Sequence, residues 1–92
     1  MSSALSYRGP VDLMVVYGDG HRANRQATDV VINRVAVGEP VTVLLDTAMG
    51  FAMLSRGDVQ RARLVLQDGA VIAGNVSEVS ADYFELLEDG RQ

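Results

Sequence analysis

The sequence predicts a small α+β domain in which one buried central helix packs against a small antiparallel sheet. The apolar stretch 41–54 has polar or charged side chains at only three positions, a composition typical of a helix that is buried on all sides. Strand-like segments lie on both sides of it, and two Asp-Gly pairs supply the positive φ of tight hairpin turns. An all-β small barrel is the alternative, because the same stretch can be divided into two strands.

Length and composition limit the class of protein. The chain has 92 residues, 48% of them apolar, and a formal net charge of −4, so we expect a single domain with a marginal core. It has one His and no Cys, which argues against a disulfide framework or a metal site, and no cofactor is implied. The acidic balance makes nucleic acid an unexpected partner.

The location is also an expectation from the sequence. No segment approaches the roughly 20 apolar residues that span a bilayer, and residues 1–9 do not resemble a targeting segment. We therefore expect a cytoplasmic protein without a membrane partner. Residues 1–9 and the polar tail 88–92 are expected to fray.

The first part of the chain predicts two strands and a turn. Residues 11–17, VDLMVVY, are apolar and are followed by Gly18-Asp19-Gly20, which indicates a strand that ends in a tight turn. Residues 21–37 begin polar and become β-branched. This pattern predicts a second strand that enters the core near Asp29.

Residues 41–54 decide between the two fold classes. Pro40 suits the first turn of a helix, and Arg56-Gly57 supplies a cation and a glycine suited to a helix end. These signals favour a helix. The β-branched residues 41–43 favour a strand instead, in which case VTVLLD and FAML form two strands joined at 47–50.

The remainder predicts a three-stranded antiparallel meander. Residues 59–67 alternate between apolar and polar side chains and end at Asp68-Gly69, which is typical of a strand and a hairpin turn. Residues 70–79 predict the second strand, in which Gly74 indicates a bulge or a bend. Residues 83–87 predict the third.

Asp46 needs an explanation, because an unpaired carboxylate in a buried helix is energetically costly. The residues LLDTAMGFAM, 44–53, resemble the central-helix motif of hotdog-fold acyl-CoA thioesterases of the phenylacetate-pathway type. The resemblance implies that Asp46 activates water or attacks the thioester carbonyl, and that the Gly38 N–H forms the oxyanion hole at the helix N-terminus. The sequence departs from the family where a His-Gly-Gly is replaced by Val37, Gly38 and Glu39.

On this resemblance the protein hydrolyses an acyl-CoA thioester, or binds acyl-CoA without catalysis. Arg61 and Arg63 share one face of a predicted strand and Arg56 lies nearby, so a clamp for the CoA phosphates is a hypothesis for these three. A solvent-exposed strand face is the alternative. A homo-oligomer is expected, because one layer of sheet cannot cover a buried helix.

A second hypothesis assigns no catalysis. Residues 62–87 are also similar to the first three strands of Sm-like and SH3-like small barrels, where the first strand ends in Asp-Gly and a bent second strand carries a Gly. This resemblance implies an interaction or assembly module that forms a homo-oligomer through unpaired strand edges. Asp46 would then be an ordinary turn residue.

Overall fold

The protein is a closed antiparallel β-barrel. The structure, a computed structural model, describes residues 5–36, 38–54 and 58–89. The elements are β1 (Leu5–Tyr17), β2 (Arg22–Arg34), β3 (Val41–Leu45), α1 (Thr47–Leu54), β4 (Val59–Leu66), β5 (Val71–Val79) and β6 (Tyr83–Glu88). The strands pair in the order β1-β2-β3-β6-β5-β4, and β1 and β4 close the barrel. The fold is therefore the all-β small barrel that the sequence left as its alternative, and the prediction of an α+β domain with a central helix is wrong.

One apolar cluster fills the barrel, and every strand contributes to it. Side chains alternate between the two faces of a strand, so every second residue of β1 from Val11 to Tyr17 points inwards. Closure covers these apolar faces within a single chain. The physical reason for expecting an oligomer, a helix left uncovered by one sheet, therefore does not apply. The fully buried side chains include Leu13, Val15, Ile32, Val41, Val43, Leu64, Phe84 and Leu86.

The stretch 41–54 is divided between a strand and a helix, which neither interpretation of the sequence anticipated. Residues 41–45 form β3, because the β-branched side chains at 41 and 43 fit a pleated surface and are fully buried. The strand ends at Leu45, and the carbonyl of the next residue, Asp46, accepts the Gly50 N–H at 2.7 Å. This is the first hydrogen bond of α1, so Asp46 is the N-cap residue of the helix.

Helix α1 packs on the turn between β5 and β6. Of its side chains, those of Thr47, Ala48 and Ala52 are exposed. Gly50 is buried, and a Cβ added there would lie 2.8 Å from the Cα of Asp82 and against the carbonyl oxygen of Ala81. The helix is therefore held at one end of the barrel by a close contact between main chains.

Both predicted Asp-Gly turns are present, with matching geometry. Asp19 and Asp68 each accept, through Oδ1, the N–H two residues later, at 3.0 and 2.9 Å. Gly20 and Gly69 then take φ values of +92° and +90°, a conformation that glycine adopts without steric cost. The two turns are equivalent and lie 49 residues apart.

The same interval relates the two halves of the barrel. The meander β1-β2-β3 is followed by a second meander, β4-β5-β6, and the pairing within the first hairpin is repeated in the second. The pair Leu13–Arg25, between β1 and β2, corresponds to the pair Ala62–Gly74, between β4 and β5. Met14 and Arg63 are counterparts that face each other across β1 and β4. The barrel therefore has an approximate two-fold axis. Equivalent strand positions are related by this axis, although different residue types occupy them.

Gly74 permits a close approach of two strands rather than a bend. A Cβ at this position would lie 2.8 Å from the Cα of Glu88 and would overlap the carbonyl oxygen of Leu87. The irregularity in β5 comes later, between Val76 and Glu78. The predicted three-stranded meander is confirmed, with the bulge displaced along β5.

Candidate interaction surface

Strand β2 has an unpaired edge along its first half. On one side β2 pairs with β1 from Arg22 to Arg34. On the other side β3 pairs with it only from Val30 to Asn33 within the described residues. The reason is that the chain leaves the sheet after Leu45 to form α1. We call residues 22–28 the open edge.

The equivalent edge in the second half of the barrel is closed. Residues 74–76 of β5 pair with residues 86–88 of β6. Their counterparts in β2, 49 residues earlier, are 25–27, and no described strand pairs with these on the side away from β1. The open edge therefore occupies the position at which its counterpart in β5 pairs with β6.

Antiparallel pairing determines which main-chain groups face outwards from the open edge. Tyr17 N–H donates to the His21 carbonyl at 2.8 Å, and hydrogen-bonded pairs alternate with non-hydrogen-bonded pairs along the hairpin. Asn24 therefore directs its N–H and C=O away from β1. Its counterpart Ala73 confirms this direction, because the Ala73 carbonyl accepts the N–H of Asp89 at 2.9 Å.

A β-bulge ends the regular part of the open edge. The register shifts so that Asp12 of β1 faces both Gln26 and Ala27. Ala27 has φ of +54°, which is uncommon for a residue other than glycine, and its N–H donates to Asp12 Oδ1 at 3.3 Å. The next residue, Thr28, is buried, and its hydroxyl has no hydrogen-bond partner among the described residues. Such local strain is concentrated at binding and catalytic sites.

Two adjoining grooves flank this bulge. The first, of about 270 Å³, is lined by Arg25 and Arg63 among others. The second, of about 480 Å³, is lined by Ala27. We call the two together the bulge groove. They are continuous because both are bordered by Asp12, Gln26 and Val65.

Three arginines at the open edge and the bulge groove carry uncompensated charge. Arg22, Arg25 and Arg63 are exposed, and within the described part of the chain none of their guanidinium groups makes a hydrogen bond or an ion pair. Asp12 supplies one negative charge to the same groove and is held by the Ala27 N–H. The surface is therefore locally positive on a chain whose net charge is −4.

Arg61 has a different environment from Arg63, although both lie on the outer face of β4. Its Nη1 donates to Asn75 Oδ1 and its Nη2 to Asp89 Oδ2, each at 2.8 Å. The hydrogen bond and the charge of Asp89 raise the pKa of Arg61, and the same contact lowers the pKa of Asp89. Of the three arginines that the sequence assigned to CoA, Arg63 lines a groove, Arg61 is engaged with its neighbours, and Arg56 lies outside the described residues.

The structure does not bring together the two residues assigned to thioester catalysis. Gly38 lies in the turn before β3, with φ of +92°, and Asp46 follows the end of β3. A strand of this length spans roughly 16 Å, so within one chain they lie at opposite ends of β3. The expected position of Gly38 at a helix N-terminus is wrong, because the helix begins at Thr47. Asp46 borders a separate groove of about 490 Å³.

Sequence reasoning identified Arg63 but missed Asn24, Arg25 and the bulge at Ala27. The available signal was the polar start of the second strand, RANRQAT at 22–28. A strand segment that is polar on both faces indicates that neither face is covered, and this is the segment that β3 leaves unpaired.

Fold and surface together define a small closed antiparallel barrel with an open strand edge. Comparison of the chain with protein-family models, curated proteins and solved structures finds no match. Among the described residues, no group of three or more His, Asp or Glu side chains is placed to hold a metal ion. In the same residues, no helix is both long and apolar enough to cross a membrane.

Proposed function

We propose that the chain is a non-catalytic β-barrel interaction module that binds an extended segment of its partner as an additional strand along the open edge. One observation carries the proposal: residues 25–27 lack a neighbouring strand, whereas their counterparts 74–76 have one. Addition of a strand to a sheet edge is a recurrent mode of peptide recognition, in which main-chain hydrogen bonds provide the affinity.

The ends of the open edge limit the length of the segment that binds. The hairpin turn at Gly20 begins it and the bulge at Ala27 ends its regular part. Each added main-chain hydrogen bond contributes about 0.5–1.5 kcal/mol net. A few such bonds give modest affinity, so we expect reversible binding.

The open edge suits a different chain better than a second copy of this one. Two open edges paired around a two-fold axis would place Arg22 and Arg25 of both copies along the same short ladder. Like charges opposite each other on neighbouring strands are destabilising. The homo-oligomer expected from the sequence therefore stays a prediction that concerns other surfaces.

Acyl-CoA hydrolysis receives less support than strand addition. The resemblance assigned the oxyanion hole to Gly38 at a helix N-terminus, but Gly38 lies in the turn before the strand β3. Asp46 has a structural role as the N-cap residue of α1.

Substitution of Asn24 tests strand addition without disturbing the β1–β2 pairing. Its N–H faces away from β1, so Asn24→Pro removes an outward donor at an edge position, where proline is tolerated. Asn24→Ala, the control, keeps the N–H. The ligand is a fluorescent peptide of alternating glutamate and valine, and binding is measured by fluorescence anisotropy.

We expect Asn24→Pro to weaken binding on the order of 10-fold, the effect of losing one hydrogen bond at the upper end of the usual range. Asn24→Ala should bind within about 2-fold of the original chain, because a solvent-exposed amide side chain adds little. Equal binding by both variants, with both folded by circular dichroism, would refute strand addition.

A further inference from the structure

We infer that the segment bound at the open edge is acidic and places carboxylates on the outer face, beside Arg22 and towards Arg63. The inference rests on the proposed function and adds the chemical class of the partner. It depends on the side chains of Arg22 and Arg63, which are exposed and make no hydrogen bond or ion pair within the described residues.

The arginines are placed to meet different parts of an added strand. Arg22 and Arg25 belong to the open edge itself. Arg63 lies two strands away, because Met14 pairs with Asn24 on one side and with Arg63 on the other. That separation is roughly 10 Å from Asn24 and roughly 14 Å from a strand added beside β2. Arg22 and Arg63 pair with the outward residues Val16 and Met14, so both lie on the outer face. Arg25 pairs with the buried Leu13 and lies on the opposite face. Arg22 therefore stands directly beside the added strand, and Arg63 meets a long acidic side chain that extends over the outer face.

The other charges nearby leave this surface positive. Asp12 lies in the bulge groove, where its carboxylate accepts the Ala27 N–H. Asp19, in the adjoining hairpin turn, contacts the His21 ring at 2.8 Å. Arg61, one strand further on, is already bonded to Asp89. A carboxylate that binds here gains free guanidinium partners rather than displacing existing ones.

A partner strand has a geometric reason to alternate acidic and apolar residues. Side chains of an added strand point alternately to the two faces of the sheet. The outer face beside the open edge carries Asn24, Met14 and Arg63 in one row. Acidic side chains on that face approach Arg63, and the intervening side chains point towards the end of the barrel.

Three fluorescent peptides of the same length as the open edge test the inference by anisotropy. The first alternates glutamate and valine, the second lysine and valine, and the third is the first peptide with its glutamates N-methylated. The third peptide matches the first in charge and side chains but lacks the N–H groups that face the open edge, so it cannot complete a strand ladder. A short oligothymidylate provides an anion without a peptide main chain.

The first peptide should bind most tightly. Arg22→Gln and Arg63→Gln should each weaken its binding by about 1.5- to 5-fold, the effect of one exposed ion pair, and added salt should reduce the difference. Arg8→Gln is the matched control, because Arg8 lines the separate groove beside Asp46. It should leave binding unchanged.

The outcomes separate this inference from the proposed function. Equal binding of the lysine and glutamate peptides, with loss in Asn24→Pro, would overturn the acidic preference and leave strand addition standing. Equal binding of the first peptide and its N-methylated form would overturn strand addition. Tighter binding of oligothymidylate, dimerisation that Asn24→Pro abolishes, or failure of every peptide to bind would each overturn the assignment of an acidic segment.

Discussion

Replacement of Gly50 by alanine sets two effects of opposite sign against each other. In an exposed helix interior, alanine is favoured over glycine by about 0.8–1.0 kcal/mol. At Gly50, however, the new Cβ would lie 2.8 Å from the Cα of Asp82 and would overlap the carbonyl oxygen of Ala81. Both obstacles are main-chain atoms, so rotation of a side chain cannot relieve the contact.

The steric effect should prevail. Added volume at a packed site costs about 1–3 kcal/mol, and displacement of main chain lies at the upper end of that range. After subtraction of the helix preference, we expect Gly50→Ala to lower the free energy of unfolding by about 1–2 kcal/mol. For a domain of this size each kcal/mol corresponds to roughly 4–8 °C in Tm.

Urea denaturation followed by circular dichroism measures the change, with Ala52→Gly as the matched control. Ala52 lies in the same helix and is exposed, so its replacement should cost only the helix preference, about 0.8–1.0 kcal/mol. Both variants should be less stable, although helix preference alone gives them opposite signs. A more stable Gly50→Ala protein would show that α1 does not pack on the β5–β6 turn, and would refute the reasoning.

Three further predictions concern titration and local strain. Arg61 lowers the pKa of Asp89 in the folded chain, so the stability from this pair is present above about pH 4 and is lost as the pH falls through the lowered pKa. The difference in unfolding free energy between the original chain and Asp89→Asn should shrink on acidification, and a constant difference would contradict this. Tyr83 donates to Glu78 Oε2 at 3.0 Å, and this hydrogen bond raises its pKa. In an ultraviolet titration of the Glu78→Gln protein, Tyr83 should therefore ionise at a lower pH than it does in the original chain. Ala27→Gly should raise the free energy of unfolding by up to about 1 kcal/mol, because glycine has no Cβ and adopts a positive φ without strain. A lower free energy of unfolding in urea denaturation would contradict strain at the bulge.

Local sequence patterns predicted the second meander well. Residues 59–67, 70–79 and 83–87 correspond closely to β4, β5 and β6. Alternation of apolar and polar side chains, together with an Asp-Gly turn, is a local signal that needs no knowledge of the rest of the fold.

The same approach failed where the outcome depended on distant segments. Residues 5–9 were expected to fray, yet they begin β1, because residues 30–34 of β2 pair with them. Pro10 is accommodated in β1 because the strand before Val11 pairs with β2 alone, and edge positions tolerate proline. Pro40 was interpreted as a helix start and precedes a strand instead.

The candidate site was predictable only in part for the same reason. Strand alternation placed Arg63 on an exposed face, as the structure confirms. The polar pattern of 22–28 indicates exposed side chains, but it does not encode where another strand ends. The open edge exists because β3 stops at Leu45, opposite Val30, while β2 extends back to Arg22. The unpaired main chain at Asn24 therefore follows from the topology.

Amide hydrogen exchange followed residue by residue by NMR tests the central claim most directly. In the free chain, the Asn24 amide should exchange rapidly, since it faces solvent, while the Arg25 amide, which pairs with β1, should be protected. Saturation with the glutamate–valine peptide should slow exchange at Asn24 and leave Arg25 unchanged. An Asn24 amide that is already protected in the free chain, or that stays unprotected in the saturated complex, would contradict the proposal that β2 binds its partner by strand addition.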